Sequence, residues 1–487
     1  MRCLYLTQEL APYFVEGGLG QTARALPLAL EQDHGLVHDL VVPYYPWLVD
    51  DHGLHTERVW STKSLAVGGV SAPAQVDRLL VREGPGEVYL VRSGHWYDRA
   101  GMYRDAQYLE YADATARAAF FGACTAAWLT STGRGYDLVH GNDWQSGPAL
   151  AHLRSMRGAS PRPALLLNVH SAEYTGVVAP GEISSLSLPE YWHRELAAAG
   201  DEASLLLLGA LAADAVTTGS PSYAQELLAQ TADSALGGAL NSRPLTGIVA
   251  GIDTELWRPE ARARLTVPYG PQDVRRGKAA NKRLLQERCG LKADPAVPLL
   301  GVCSRIVPEK GTDLLLEAIA PLVRDGACQL VVMGQGDAAL VSALVSLARD
   351  VPLGMHHVPA FDQDSAWLTY AGADFTVMPS RAEPCGLNQL IAMTYGTVPV
   401  VSAVGGLRDT VIDLDSSNEG TGFVLPELTA GALRHTVLRA ARWLSGPADQ
   451  VEAVRRRVMA QDWSWDRSAR DTAELYTRTA NARAAQL

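Results

Sequence analysis

The 487-residue chain has few lysines, few cysteines and no long apolar run, and each shortage excludes something. Its six cysteines (Cys3, Cys124, Cys289, Cys303, Cys328 and Cys385) lie far apart without C-x-x-C or other zinc-ligand spacing. That argues against a disulfide framework or structural metal and for a reducing compartment. The start MRCLYLTQEL has no charged segment followed by an apolar core and a cleavage site, and the greasiest run, around Leu205 to Leu211, meets Asp214 well short of bilayer length. A cytoplasmic protein with no membrane partner is expected. Acidic residues outnumber basic ones, 53 to 42, for a formal charge of −11, and the basic residues do not cluster. Nucleic acid is therefore not an expected partner. Only Lys63, Lys278, Lys282, Lys292 and Lys310 are lysines, so a lysine inside a motif carries more information than usual.

What is present is an ordinary globular composition, 47% hydrophobic and 20% charged, at a length that suits two or three domains. Short apolar runs alternate with helical stretches, as in parallel sheets with crossover helices. Strands are expected at Arg2 to Thr7, Asp39 to Val42, Leu138 to His140, Ala164 to Val169 and Ala215 to Thr218, with a helix at Thr22 to Glu31. The pattern restarts near Leu299, with strands at Leu299 to Ser304, Gln329 to Met333, Phe375 to Met378 and Thr397 to Val401 and a helix at Thr312 to Val323. The expected fold is α/β, two doubly wound domains in tandem. Their boundary is placed between Val249 and about Asn281, where RPEARARLTVPYGPQDVRRGK replaces the apolar period. There is no low-complexity tract or short repeat.

Ligands of open parallel sheets sit at the carboxyl ends of the strands, and the unusual residues of this chain fall there. Glu16-Gly17-Gly18-Leu19-Gly20-Gln21 follows a strand and opens a helix; a phosphate cradle and a plain strand-to-helix turn are both open readings. Arg305 and Lys310, in CSRIVPEKGTD, would converge on a helix start and could stabilise a departing phosphate. In so lysine-poor a chain this reading is preferred to a solvated basic pair. Glu383, in Pro379-Ser380-Arg381-Ala382-Glu383-Pro384-Cys385-Gly386-Leu387-Asn388, could accept hydrogen bonds from sugar hydroxyls or be an exposed loop residue. Val404-Gly405-Gly406-Leu407 again offers amides after a strand. His170 follows a strand, a position that is more often structural than catalytic.

In this order the motifs resemble the bacterial glycogen and starch synthase family of retaining glycosyltransferases. The resemblance runs nearly end to end: Gly17-Gly18-Leu19, Trp96-Tyr97-Asp98-Arg99, Asp143-Trp144, His170 with Tyr174, Gly251-Ile252-Asp253 with Trp257, Ser304-Arg305 with Lys310-Gly311, Glu383-Pro384-Cys385-Gly386-Leu387, Tyr395-Gly396-Thr397, Gly405-Gly406-Leu407 and Trp463-Ser464-Trp465. It implies the GT-B fold, two facing Rossmann-like domains with an interdomain cleft, here 1–252 on the acceptor side and 253–460 holding the nucleotide donor, with 461–487 a helix crossing back. It implies a nucleotide-diphosphate donor, an oligosaccharide or amino-sugar acceptor, and no metal or other cofactor. Arg305, Lys310, Glu383 and His170 would be catalytic. Gly17, Gly18, Cys385, Gly386, Leu387, Gly405 and Gly406 would hold the donor, and Tyr97, Asp143 and Trp144 the acceptor side. Oligomeric state is not readable from the sequence.

The chain departs from the family where substrate is held. Val15-Glu16 replaces Lys-Thr before the paired glycines, Ser171 replaces the asparagine after the loop histidine, and Ala250 replaces that of Asn-Gly-(Ile/Val)-Asp. Asn142 stands for the second histidine of His-x-His-Asp-Trp, Ser402-Ala403-Val404 for Arg-Arg-Thr, and Ile391 for a tyrosine. Lost polar contacts leave unpaired groups, each costing about 1–3 kcal/mol. Val15, Glu16, Ser171, Ala250 and Ile391 are thus specificity candidates. Such rebuilding fits an enzyme that transfers a modified sugar or sugar-like cyclitol, as the pseudo-glycosyltransferases of aminocyclitol oligosaccharide (acarbose-type) biosynthesis do. The alternatives are a glycogen synthase elongating α-1,4-glucan from ADP-glucose, and a nucleotide-sugar-binding protein without turnover. A pyridoxal-phosphate phosphorylase would need a longer chain and a Schiff-base lysine.

Overall fold

The computed structural model describes residues 1–80, 84–105, 109–156, 162–261 and 267–485; residues 262–266 of the boundary stretch lie outside the described residues. The chain forms two compact units, Met1–Gly251 with Trp465–Leu487, and Ile252–Ser464.

The first unit contains β1 (Arg2–Leu6), β2 (Val37–Pro43), β3 (Thr56–Val67), β4 (Val70–Leu79), β5 (Val88–Arg92), β6 (Leu138–Asn142), β7 (Ala164–Val169), β8 (Ala215–Thr218) and β9 (Leu245–Gly247). They form one sheet in the order β3-β4-β5-β2-β1-β6-β7-β8-β9. The central strands are parallel and their apolar runs, such as Leu4 to Leu6 and Leu165 to Leu167, are wholly buried, because crossover helices cover both faces. The strand order turns at β1 and β6, so the loops after β1, β6 and β7 gather at one switch point. The antiparallel hairpin β3–β4, continued by β4–β5, and the helix Ala114–Thr132 were not legible in the apolar pattern. β3 is largely exposed and its pairing with β4 shifts register twice, which blurs the alternation.

The helix Trp465–Ala484 packs on this unit. Tyr476 is fully buried with its hydroxyl 2.7 Å from His140 Nδ1, and Ser468 donates to the Val249 carbonyl. Burial pushes the His140 pKa well below its usual range, so the ring meets Tyr476 in its neutral form.

The second unit holds β10 (Leu299–Cys303), β11 (Gln329–Met333), β12 (Met355–Val358), β13 (Phe375–Met378), β14 (Val398–Val401) and β15 (Phe423–Val424), all paired in parallel in the order β12-β11-β10-β13-β14-β15. Its switch point lies between β10 and β13, which brings together the loops beginning at Ser304 and Pro379. At the other end of β13, buried Asp374 accepts from Lys282 (2.7 Å), Arg455 (2.9 Å) and the Leu299 amide (3.0 Å). These contacts tie the helices Val274–Arg288 and Ala448–Met459 to the sheet. Among the described residues, no helix is long and apolar enough to cross a membrane.

Candidate active site

In the second unit, Lys310 ends a short turn, Pro308–Lys310, that leads into the helix Thr312–Arg324. Its ammonium donates to both carboxylate oxygens of Glu383, at 2.8 and 2.7 Å. Ser380 donates a further bond to the same carboxylate at 3.1 Å. The two residues expected to serve diphosphate and sugar separately are thus one ion pair, with the Glu383 side chain only 8% exposed. A pair so placed can present a cation to a phosphate while fixing the carboxylate for hydroxyls.

The loops that carry the pair are stitched together. Gly311 has φ 69°, and a side chain there would come within 2.0 Å of the Pro379 carbonyl, so only glycine allows the approach. Arg381 grips Asp313 through two 2.7 Å bonds and donates its amide to the Glu309 carbonyl. Its guanidinium holds the Asp313 carboxyl below the usual carboxylate range. Arg305 lies exposed on the same loop as Lys310.

The Gly405–Gly406 turn corrects one expectation. The Gly406 amide is not available to a donor, because it donates to the Glu383 carbonyl at 2.9 Å. The glycine is needed for space, since a side chain at Gly406 would meet the Cys385 carbonyl at 2.0 Å. Its work is to press the Glu383–Leu387 loop into place. Gly386 and Leu387 lead into the helix Asn388–Thr394, and Ile391 sits buried in a cluster with Tyr370 and Met393, where it acts through packing.

In the first unit the switch-point loops bring His170, Asp143 and Trp144 together. His170 Nε2 lies 3.0 Å from Asn142 Oδ1 and 2.9 Å from Asn168 Nδ2. Asn142, read from sequence as a loss, is therefore the partner that orients His170. Asp143 accepts from the His170 amide at 2.7 Å, and its own amide donates to the Asn168 carbonyl at 2.8 Å. Burial raises the Asp143 pKa, partly offset by His170. The residue has φ 55° and ψ −173°, a region costing a side chain about 1–3 kcal/mol and tolerated where surrounding bonds impose it. Asp143 thus positions the His170 loop. Trp144 is partly buried against the core, and Ser171 accepts from the Glu173 amide. Ala250 packs beside the cluster around Trp465 and Tyr476.

Tyr97 is corrected from an acceptor-side residue to a core one. It is 2% exposed, its hydroxyl donates to the Arg117 carbonyl, and its ring meets Tyr45 and Phe120.

Sequence reading missed Glu9. This buried carboxylate accepts from the amides of Glu16 and Gly17, both at 2.9 Å, and from the Tyr103 hydroxyl at 3.0 Å. Burial, and then the Glu9 charge, pushes the Tyr103 pKa well up, so the phenol stays a donor. The Gly17 amide, expected for phosphate, is occupied by this carboxylate. The helix Gly18–His34 has no side-chain cap, which leaves the amides of its first turn, Gly18 among them, without an intrahelical acceptor. The only sequence signal was an acid two residues beyond a strand. Glu9→Gln keeps the shape but removes the charge from three hydrogen bonds. It is expected to lower kcat/KM for the donor about 10- to 100-fold, as measured by initial rates.

The sequence matches the family described as "Starch synthase catalytic domain" over residues 2–242 and "Glycosyl transferases group 1" over 288–450. A glycogen synthase of Syntrophotalea carbinolica is 35% identical, covering 98% of this chain and 99% of its own, and one of Anaeromyxobacter sp. is 37% identical with the same coverage. The chain belongs to the glycogen and starch synthase family. It is a glycosyltransferase. The catalytic domain of starch synthase IV from Arabidopsis thaliana, solved bound to ADP and acarbose, is similar in structure at a TM-score of 0.87 and 26% identity, covering 98% and 99% of the two chains. The α/β architecture with two Rossmann-like parallel sheets is thus that of a GT-B glycosyltransferase. A sucrose-phosphate synthase from Thermosynechococcus elongatus (TM-score 0.61, 20% identity) shares the fold.

Proposed function

We propose that the protein transfers a hexosyl unit from a nucleotide-diphosphate sugar to a glucan, with retention at the anomeric carbon, as a glycogen synthase does. The observation that carries this reading is the Lys310–Glu383 pair on stitched loops at a strand switch point. In the proposed reaction the bond from the anomeric carbon to the diphosphate breaks as Lys310 and Arg305 stabilise the charge on the departing oxygens. The acceptor hydroxyl attacks from the same face, and its proton passes to the phosphate oxygen that has just left. Glu383 fixes the hydroxyls of the transferred ring. In the first unit, Asn142 and Asp143 hold His170 in a fixed orientation. No protein nucleophile is required, so positioning and charge supply the rate. The relatives named glycogen synthase support a glucan acceptor, and the ADP bound in the starch synthase IV structure supports an ADP-sugar donor.

A second reading rests on the glycine turn of the first unit. Val15 is 40% exposed where the family carries a lysine, and the exposed Glu16 follows it, so the turn carries an acid and no cation at these two positions. Such a turn suits an ammonium or hydroxyl group better than another phosphate oxygen. It favours a modified ring, such as an aminocyclitol, on the donor or acceptor.

The test is a panel of ADP-, UDP-, GDP- and dTDP-hexoses and nucleotide-cyclitols against glycogen, maltotriose and amino-maltooligosaccharides, with products identified by mass. Robust elongation from ADP-glucose is expected under the first reading. Transfer confined to a cyclitol donor or an amino acceptor would establish the second. No transfer from any donor would leave a binding protein and overturn both.

A further inference from the structure

Along β3, β4 and the segment after β5, a cavity of about 450 Å³ is lined by Arg58, Pro73, Gln75, Arg92, Ser93 and His95. None of these residues belongs to the candidate active site. Its two guanidinium groups are held from behind by one acid. Asp77, 1% exposed, accepts from Arg58 Nε at 2.7 Å and from Arg92 Nη1 at 3.4 Å. Arg92 also lies over the Tyr44 ring, 4.4 Å from its centroid. Two cations and one carboxylate leave a net positive charge, and Arg58 spends only its Nε on Asp77. Two preoriented guanidinium forks are suited to the paired oxygens of a phosphoryl group.

A second observation is independent of charge. Ser93 is 5% exposed, and its hydroxyl is buried without a hydrogen-bond partner among the described residues. An unpaired buried hydroxyl costs about 1–3 kcal/mol, a cost that a ligand in the cavity would remove. Gln75, whose side-chain amide can donate and accept, also lines the cavity. The lining is therefore cationic at one part and suited to hydroxyl groups at another. The volume falls within the roughly 300–1,000 Å³ of small-molecule sites.

We propose that this cavity binds a phosphorylated monosaccharide, with the phosphoryl group on Arg58 and Arg92 and ring hydroxyls on Ser93 and Gln75. The site is separate from donor binding and independent of which donor the enzyme uses.

The experiment is titration calorimetry of the full-length protein with glucose 6-phosphate, inorganic phosphate or glucose, each with ADP present in saturating amount to occupy the donor site. Saturable binding of glucose 6-phosphate is expected, at least tenfold weaker binding of phosphate, and none of glucose. Ser93→Ala removes an unpaired group, so the fold should be kept while affinity falls about tenfold. Arg58→Gln with Arg92→Gln should abolish binding. Because that change strands Asp77, the same pair is also made with Asp77→Asn, and thermal midpoints are measured for all variants. The proposal is overturned if wild-type protein binds no glucose 6-phosphate beside ADP, if phosphate binds as tightly as the sugar phosphate, or if Ser93→Ala and the folded arginine variants bind as wild type does.

Discussion

Lys310→Ala is expected to lower kcat by about 10²- to 10³-fold in a protein that still folds, the scale seen when one preorganised electrostatic contact to a transition state is removed. The fold should survive because the Lys310 loop has other anchors: the Arg381–Asp313 pair and the Gly311 contact with Pro379 do not involve the ammonium. Two losses combine. In the proposed reaction the departing phosphate loses a cation, and Glu383 loses the donor that bridges both of its oxygens. A double-mutant cycle with Glu383→Gln separates them. If the residues act as a unit, the double variant will be little slower than the worse single one. Multiplying effects would show that they serve different parts of the substrate independently. A Lys310→Ala enzyme with near-normal kcat would remove Lys310 from phosphate stabilisation.

Asp374→Ala is expected to cost about 3–5 kcal/mol of stability, the penalty for breaking a buried ion pair from one side. Lys282 and Arg455, 6% and 9% exposed, would be left as buried cations without their carboxylate. In a unit of this size the thermal midpoint should fall on the order of 10 °C. Acid should erase the difference. Burial alone would raise the Asp374 pKa, but Lys282 and Arg455 outweigh it and hold the carboxyl below its usual value. A depressed carboxyl pKa contributes stability that is complete above the unfolded value, near pH 4, and is lost as pH falls through the folded value. Melting curves between pH 3 and 7 should therefore show the gap between wild type and variant closing only below about pH 4. An unchanged midpoint at pH 7 would mean that the cations find other partners.

The parallel strands and their loops were legible because their signals are local. A wholly buried run such as Leu165 to Leu167, followed by a polar break, announces both the strand and the place where a site can form. Lys310 stood out for the same reason, in a chain with few lysines. What was hidden depends on partners distant in sequence or on shape. Glu9 acts through amides that carry no side-chain signature, and its Tyr103 partner is 94 residues away. Gly406 looked like an amide donor, yet its structural requirement is the missing side chain against Cys385. Asn142 looked like a lost histidine until its contact with His170 was seen. Tyr97 shared its motif with the family, but an aromatic residue beside a sugar site and one in the core have the same letters.

The most direct measurement is the anomeric configuration of the first product, read by proton NMR from the reaction of the donor that the panel selects. Same-face attack behind a phosphate held by Lys310 and Arg305 predicts that an α-configured donor yields an α-linked product. A β-linked product would contradict it.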